Sequence, residues 1–487
     1  MINIDYSILL GSLLLIIGII TTKFSSRLGM PALILFLAVG MIVGSDGLGI
    51  IYFDNATYAQ LIGVLALIII LFEGGLQTRW TTVKSVLKPS LSLATVGVLI
   101  TTSVVAVVVN LLFAVPWLEA FLIGSIVGST DAAAVFAVLK GQNINPKLGS
   151  TLEAESGTND PMAMFLTLMF IQLLTIDETN VFLLILSFFW QMGMGLLIGV
   201  IFGKLATMAI NRINLDSSGL YPIFAVAFAL LTYSSTALAH ASGLLAVYVA
   251  ALVIGNSDLT YKTSIFRFNE GFAWMMQILM FIILGLLVFP SQLFTADVMV
   301  KGILISVALI FVARPIAVYV STIKMDFNHK EKIFVSWAGL RGAVPIVLAT
   351  FPMLAGIADS QTIFNVVFFV VFTSALIQGS TILILAEKLG LTGPKKSTPA
   401  HSLELVSIGK ANAEIIEYEI HKEDLLVNKK IVDILFPENV LINAIIRSDK
   451  LVTPRGDTCL LEGDILYILT PRSSIGKLKE MFKDHEF

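Results

Sequence analysis

Long apolar runs, separated by short polar or Pro/Gly-containing breaks, follow one another from the start of the chain to about residue 386. A helix that crosses a lipid bilayer needs about 20 mostly apolar residues, so the pattern predicts about thirteen membrane-spanning helices. The predicted spans are 5–22, 30–45, 57–76, 90–113, 119–139, 150–174, 181–203, 219–238, 243–256, 271–289, 300–321, 333–353 and 361–386.

The composition agrees with a polytopic membrane protein. Hydrophobic residues make up 56% of the 487 residues and charged residues 13%, whereas soluble domains carry about 25% charged residues. The net charge of −3 gives no reason to expect a nucleic-acid partner. No basic residue precedes the first apolar run, so we interpret this run as a retained helix and not as a signal peptide.

Lysine and arginine residues fall in alternate loops, and the opposite loops hold Lys301 alone. Because cytoplasmic loops carry the excess of basic residues, this asymmetry predicts an N-terminus outside the cell and a last span that ends in the cytoplasm. The basic residues of the cytoplasmic loops are Lys23, Arg27, Arg79, Lys84, Lys88, Lys140, Lys147, Lys204, Arg212, Lys262, Arg267, Lys324, Lys330 and Lys332.

After Lys388 the composition changes, and a stretch with Gly, Pro, Ser and Lys predicts a linker over residues 390–411. The transmembrane domain is then 1–389, and 412–487 form a small cytoplasmic α+β domain with alternating apolar residues and turn sequences. Its strands are expected at 414–420, 440–446, 458–461 and 465–470, and its helices at 429–435 and 474–482. Cys459 is the only cysteine, which excludes an intramolecular disulfide.

The span order contains a symmetry. If the seventh span is a connector, spans 1–6 and 8–13 form two six-helix units of opposite orientation, an inverted repeat. Polar, glycine-containing interruptions fall in the fifth span of each unit, at 128–131 and 339–345. Corresponding interruptions in the two halves of a membrane protein indicate the binding site of a secondary transporter.

Span 6 carries ionisable residues that a membrane helix normally excludes. A charge at the bilayer centre costs about 3 kcal/mol on insertion scales, so its presence indicates a function. Carboxylate, amide and hydroxyl oxygens suit a hard monovalent cation. The alternative is that Glu155 and Asp160 only form ion pairs with basic residues and so hold helices together. Four polar residues share one broad face of this helix: Glu155, Ser156, Asn159 and Asp160.

The interruptions supply the remaining candidate residues. Ends of broken helices carry partial charges of about half a unit, which Asp131 can compensate while Thr130 joins the cation's shell. The alternative is a kink whose polar groups are satisfied locally. Arg341 cannot lose its charge and needs a partner inside the membrane. We predict Glu155 as that partner, which leaves Asp160 as the titratable group.

Three other charged residues lie in or near the spans. Glu73, at the end of span 3, either lines an access path or sits at the membrane surface. Arg314 in span 11 is expected near the cytoplasmic face, which its long side chain can reach. Glu153 is expected to be solvated at the cytoplasmic end of span 6.

These motifs together resemble those of the NhaP-type cation:proton antiporters, within the sodium/proton exchanger superfamily. The resemblance covers most of residues 1–390 and implies the same helix count, a dimerisation domain, a mobile core domain and crossed broken helices at the ion site. The motifs are Phe72-Glu73-Gly74-Gly75, Ser129-Thr130-Asp131, Glu155-Ser156-Gly157-Thr158-Asn159-Asp160-Pro161 and Gly339-Leu340-Arg341-Gly342-Ala343-Val344-Pro345.

The resemblance also implies roles for individual residues. The family's aspartate that matches Asp160 binds cation and proton alternately, and the asparagine that matches Asn159 accompanies electroneutral exchange. The residues that match Thr130 and Ser156 help to coordinate the ion. The acid and base that match Glu155 and Arg341 form an ion pair.

Residues 412–485 resemble the TrkA-C domain, the C-terminal subdomain of the regulators of potassium conductance. This tail on an NhaP-type core is typical of potassium/proton antiporters, so it favours potassium. In related transporters the domain dimerises and binds a regulatory nucleotide such as cyclic di-AMP, although no residue here identifies that ligand. No other cofactor is expected.

The sequence therefore predicts an electroneutral potassium/proton antiporter, homodimeric, in the plasma membrane of a bacterium. A sodium/proton antiporter of the same mechanism stays open as an alternative. A ligand-gated cation channel is a third hypothesis, although the chain has no carbonyl-filter sequence of the Thr-Val-Gly-Tyr-Gly kind. An enzyme is not expected, because five His and one Cys offer no nucleophile–base or metal constellation in the spans.

Overall fold

The computed structural model describes residues 4–28, 30–139, 143–176, 180–393, 413–420, 424, 426–447, 450–471, 474 and 478. The chain divides into two compact units, Met1–Lys396 and Ser397–Phe487. The first unit is helical and the second contains a four-stranded sheet.

The helices of the first unit follow the predicted spans in order. They are α1 (Ile4–Leu28), α2 (Ala32–Val43), α3 (Ala56–Gln77), α4 (Trp80–Phe113), α5a (Trp117–Ile126), α5b (Ala132–Val138), α6 (Pro146–Thr175), α7 (Val181–Arg212), α8 (Leu220–Leu238), α9 (Gly243–Gly255), α10 (Lys262–Leu286), α11 (Ala296–Ser321), α12a (His329–Trp337), α12b (Ala343–Leu354) and α13 (Ser360–Leu389). A four-residue helix, Pro290–Leu293, precedes α11.

Within the described residues, eight of these helices are long and apolar enough to cross a membrane. The short apolar helices α2, α5a, α9 and α12b fall at other predicted spans, and α6 is long but carries the charges of the predicted site. The broken helices α5 and α12 are each the fifth member of a six-helix unit. The predicted all-α membrane fold with crossed broken helices is therefore confirmed.

The two broken helices meet where their backbones leave the helical conformation. The Asp131 amide donates to the Leu340 carbonyl at 2.8 Å. This hydrogen bond joins the two unwound segments and replaces bonds that the groups would make inside an intact helix. Gly342 is required at this crossing, because a Cβ there would overlap the Asp131 side chain. The crossing brings the predicted motifs of spans 5 and 12 together in the middle of the unit.

The helices pack in two groups. In the first group, α1–α3 and α7–α10 pack mainly on one another, with α9 lying between α3 and α7. In the second group, α4 packs on α5a and α6, and α11 packs on α13. The half-helix α12b contacts both groups. The crossing of the unwound segments belongs to the second group and faces the first.

The second unit is an antiparallel sheet with the strand order β3–β6–β4–β5. Its side chains Ile445, Leu466 and Ile468 are fully buried in one apolar cluster. The carboxylate of Asp464 accepts from Nε and Nη2 of Arg447, both at 2.7 Å, and raises the pKa of that guanidinium. The strands are β3 (Ala413–Glu419), β4 (Leu441–Arg447), β5 (Lys450–Val452) and β6 (Ile465–Pro471).

Two predictions for this unit are wrong. The segment predicted as a helix at 429–435 has a single 3₁₀ turn, Ile431–Asp433, and the strand predicted at 458–461 is reduced to one bridge between Lys430 and Cys459. Backbone bonds between these two segments, such as Ile431 N to Thr458 O at 3.0 Å, replace the bonds of a helix. Strand β5 was not predicted, and most of the helix predicted at 474–482 lies outside the described residues.

Part of the predicted linker joins the first unit. Strand β2 (Thr392–Gly393) pairs antiparallel with β1 (Asn143–Ile144), which precedes α6. Residues 394–412 lie outside the described part of the chain.

Candidate ion-binding site

A cavity of about 340 Å³ lies between the two helix groups and reaches the crossing of the broken helices. Four of the predicted ion-binding residues line it, namely Thr130, Asp131, Ser156 and Asp160. The fifth, Asn159, is fully buried behind them. The first helix group contributes Glu73, Gln77, Tyr248, Glu270 and Gln277 to the opposite wall. The cavity therefore has several carboxylates and no lysine or arginine in its described lining.

Asp160 lies near the middle of α6, and only 5% of it is exposed. Its Oδ1 is buried and has no hydrogen-bond partner among the described residues. No described lysine or arginine forms a salt bridge with it. Buried polar atoms are usually paired, so an orphaned carboxylate oxygen in a cavity wall indicates a site for an exchangeable partner.

Three polar residues hold the unwound part of α5 against α6 beside Asp160. Ser156 Oγ donates to the Thr130 carbonyl at 3.0 Å and accepts from the Ala132 amide at 3.3 Å. Asn159 Nδ2 donates to Thr130 Oγ1 at 2.6 Å, and Asn159 Oδ1 is left buried without a partner in the described structure. The site thus offers hydroxyl, amide and carboxylate oxygens, the ligands that a hard cation prefers.

The two ends of the break in α5 bond to side chains of opposite charge. Asp131 caps the N-terminus of α5b, with Oδ1 accepting from the Ala134 amide at 3.1 Å. Arg341 Nη1 donates to the Ser129 carbonyl, on the side where α5a ends, at 2.9 Å. Negative charge at a helix N-terminus and positive charge at a C-terminus are both stabilising. The interruption is therefore compensated at each end by a fixed side chain.

The predicted ion pair between Glu155 and Arg341 is not formed. Glu155 instead pairs with Arg314, whose Nη1 and Nη2 donate to Oε1 and Oε2 at 2.6 and 2.9 Å. Both residues are buried, so Arg314 does not reach the membrane surface as expected. Gly339 leaves room for the guanidinium, since a Cβ there would lie 2.5 Å from Arg314 Nε.

The pairing of Arg314 with Glu155 has an identifiable cause in α11. A π-helical turn at 309–313 immediately precedes Arg314. Such a turn inserts a residue into the helix and changes the face on which the following side chains lie. The sequence signal was an arginine inside an apolar run, seven residues before the helix ends at Ser321. Arg314 therefore lies about two helical turns inside the span and not at the membrane surface.

The acidic wall of the cavity extends beyond the predicted residues. Glu73 lines the cavity and accepts from Gln77 Nε2, while its part in ion access stays a prediction. Glu153 was expected to be solvated, but it is only partly exposed and accepts from Thr78 Oγ1 at 2.5 Å. Tyr248 and Glu270 were missed because the sequence does not show which helices face span 6. Glu270 was also placed just outside a span, whereas α10 begins at Lys262.

We expect Glu155→Gln or Arg314→Gln alone to lower the free energy of unfolding by about 3–5 kcal/mol, because each leaves a buried charge without its partner. The double variant should recover part of that loss. Thermal melting of the purified protein in detergent measures both effects. Combining Glu155→Gln with Arg341→Gln is the matched control, where the recovery should be smaller because no salt bridge joins these two residues. Greater recovery with Arg341→Gln than with Arg314→Gln would contradict the pairing.

Comparison with known proteins identifies the two parts of the chain. Residues 12–388 match the sodium/hydrogen exchanger transmembrane family, and residues 415–483 match the TrkA-C domain. A K(+)/H(+) antiporter NhaP2 of Shewanella sp. (strain ANA-3) is 40% identical over 483 residues, which cover 99% of this chain and 84% of the relative. A K(+)/H(+) antiporter NhaP of Alkalimonas amylolytica is 37% identical over 97% of this chain and 82% of its own length.

A solved structure supports the same assignment. The sodium proton antiporter MjNhaP1 of Methanocaldococcus jannaschii superposes with a TM-score of 0.69 at 25% identity, covering 79% of this chain and 99% of that one. The resemblance inferred from the four motifs is thus confirmed, and neither an enzyme nor a channel is indicated. The chain belongs to the sodium/hydrogen exchanger family of cation:proton antiporters and carries a TrkA-C domain after its transmembrane part.

Proposed function

We propose that this protein exchanges potassium for protons at Asp160, with sodium as the alternative cation. The observation that carries the proposal is the buried Asp160 carboxylate, whose Oδ1 lacks a partner among the described residues while it faces an acidic cavity. Cation and proton would compete for this one carboxylate. The oxygens of Asn159, Ser156 and Thr130 would complete the shell of the cation.

The choice of potassium rests on the relatives and on the tail. The two relatives described above are named K(+)/H(+) antiporters and match nearly the whole chain, including the TrkA-C region. The Na(+)/H(+) antiporter 1 of Methanocaldococcus jannaschii is 28% identical over 69% of this chain. The oxygen ligands of the site accept either ion, so the local chemistry does not decide between them.

The arrangement of buried charges supports an exchange of one cation for one proton. Glu155 and Arg314 neutralise each other as a fixed pair. Asp131 and Arg341 carry opposite charges and hold the two ends of the interrupted α5. Asp160 is then the one carboxylate of the site that needs a counter-charge in every state, either a proton or a cation. Such a cycle moves no net charge across the membrane.

The same geometry supports alternating access. Asp160 belongs to the second helix group, and the cavity separates it from the first. Sliding of the second group along the first would close the cavity on one side of Asp160 and open a path on the other. Glu73, Glu153 and Glu270 lie near helix ends that lead to lysine- and arginine-rich loops. The positive-inside rule then supports a cavity that opens toward the cytoplasm and an N-terminus outside the cell.

The tail and the assembly complete the proposal. We infer a bacterial plasma-membrane protein that acts as a homodimer in the lipid bilayer. The TrkA-C match favours a cytoplasmic regulatory domain that responds to a small ligand such as cyclic di-AMP.

We expect Asp160→Asn to abolish cation/proton exchange in proteoliposomes, because an amide neither titrates nor neutralises a cation. The variant should still insert and elute as folded protein. Asp297→Asn, which changes an exposed aspartate paired with Lys301, is the matched control and should keep normal exchange. Near-normal exchange by Asp160→Asn would remove this residue from the mechanism.

We expect potassium to be exchanged at least as well as sodium. Proton flux in proteoliposomes, driven in turn by potassium, sodium and lithium gradients near neutral pH, measures the selectivity. Liposomes without protein, and liposomes that contain the Asp160→Asn variant, measure the proton leak. Exchange of sodium or lithium without any exchange of potassium would refute the potassium assignment and leave the antiporter assignment intact.

We also expect electroneutral exchange, because the Glu155–Arg314 pair and the opposite charges of Asp131 and Arg341 leave Asp160 as the carboxylate that takes up the cation or the proton. The rate of proton flux should not change when a membrane voltage is imposed on the proteoliposomes. A solid-supported membrane carrying the protein should show no sustained current under a cation gradient. A rate that follows the voltage would show that the proposed stoichiometry is wrong.

A further inference from the structure

Tyr248 of α9 lies at the boundary between the two helix groups. It is 8% exposed and lines the same cavity as Asp160. On the side of α3 it packs on Gly75, where a Cβ would lie 2.8 Å from the Tyr248 carbonyl oxygen and 3.3 Å from its Cδ2. Glycine at this position lets α9 approach α3 closely within the first group.

On the opposite side, the ring of Tyr248 lies on Gly157 of α6. A Cβ on Gly157 would press on the face of the ring, against Cζ and only 2.5 Å from Cε2 and 2.8 Å from Cε1. Since an alanine methyl cannot occupy that space, the contact depends on glycine. Gly157 is three residues before Asp160, about one helical turn. The two helix groups therefore touch, beside the ion site, through an aromatic ring and a backbone without a side chain.

This kind of contact differs from ordinary helix packing. Helices usually pack with ridges of side chains in the grooves of the neighbour, which resists movement of one along the other. Gly157 removes the ridge at this point, and the flat ring provides no groove to lock it. Shear motions of packed helices are small sliding movements. A ring on a glycine allows such movement.

We propose that Tyr248 is a positioning residue for exchange, whose ring is the surface along which α6 slides on Gly157 as it carries Asp160 between the two sides of the membrane. The inference rests on the proposed alternating access of Asp160. It assigns to the aromatic ring of Tyr248, and not to its hydroxyl, control over the rate of the conformational step.

The test compares four variants with the native protein in proteoliposomes. Gly157→Ala should lower the maximal exchange rate at least about tenfold while the apparent KM for the cation changes less than about twofold, because the added methyl overpacks the moving contact and not the ion shell. Adding Tyr248→Leu to Gly157→Ala should restore much of the rate, since leucine lacks the ring atoms that collide with the methyl. Tyr248→Phe keeps the ring and should keep the rate. Gly193→Ala, at a helical glycine with open space around it, is the matched control.

Other outcomes would overturn the inference. If Tyr248→Leu restores the melting temperature of Gly157→Ala but not its rate, the contact is purely structural. A loss of rate in Tyr248→Phe would assign the effect to the hydroxyl. If Gly157→Ala does not fold, the single variant Tyr248→Leu tests the inference. Loss of the ring leaves a gap over Gly157 and should lower the exchange rate several-fold. A normal rate would refute the proposed role of the ring. Retained exchange in Asp160→Asn would instead refute the proposed function itself.

Discussion

An ionised side chain inside a membrane protein needs a partner, and this requirement organises the centre of the molecule. The desolvation of each buried charge costs several kcal/mol. Glu155 and Arg314 are partners of this kind, joined by two parallel hydrogen bonds in a buried pair. Asp160, five residues later on the same helix, has no such partner among the described residues. The contrast separates a charge that holds helices together from one that is available to a transported ion.

The crossing of the two broken helices depends on the same requirement. Interrupting a helix exposes amides at one end and carbonyls at the other, and neither can be left bare inside a membrane. The two broken helices satisfy some of these groups directly, since the Asp131 amide of one donates to the Leu340 carbonyl of the other. Asp131 and Arg341 add one side-chain bond each at the break in α5, and Gln378 Nε2 donates to the Trp337 carbonyl at the break in α12. Because these groups are already satisfied, the cavity can hold a cation without disturbing the backbone around it.

The separation of the helices into two groups gives this site its access. Polar residues cluster on both walls of the cavity, but the contact beside Asp160 is a tyrosine ring on a glycine. Where the groups touch through Thr78 and Glu153, they do so by a hydrogen bond between side chains. A hydrogen bond to a carboxylate contributes about 1.5–3 kcal/mol, and it can be exchanged for a bond to water when the groups move. The boundary is thus better suited to movement than the tightly packed interior of either group.

Much of this could be predicted from the sequence, because the signals were local. A bilayer imposes a length and a polarity on every span, so the helix order and the positions of the interruptions could be read from the apolar runs. The spacing of Ser156, Asn159 and Asp160 placed their oxygens on one face of a helix, where the structure also places them. Turn sequences and alternation similarly located β3, β4 and β6 of the tail.

Only the tertiary structure decided which distant groups meet. The partner of Glu155 depends on a π-helical turn that rotates Arg314 inward and on the space left by Gly339, neither of which a sequence spacing reveals. Tyr248 and Glu270 join the cavity because α9 and α10 pack beside α3. Segment 429–435 looked helical by composition, yet its backbone bonds to residues 456–460, which lie more than 20 positions away along the chain. Local pattern determines where charges and breaks lie along the chain, and packing determines which of them become partners.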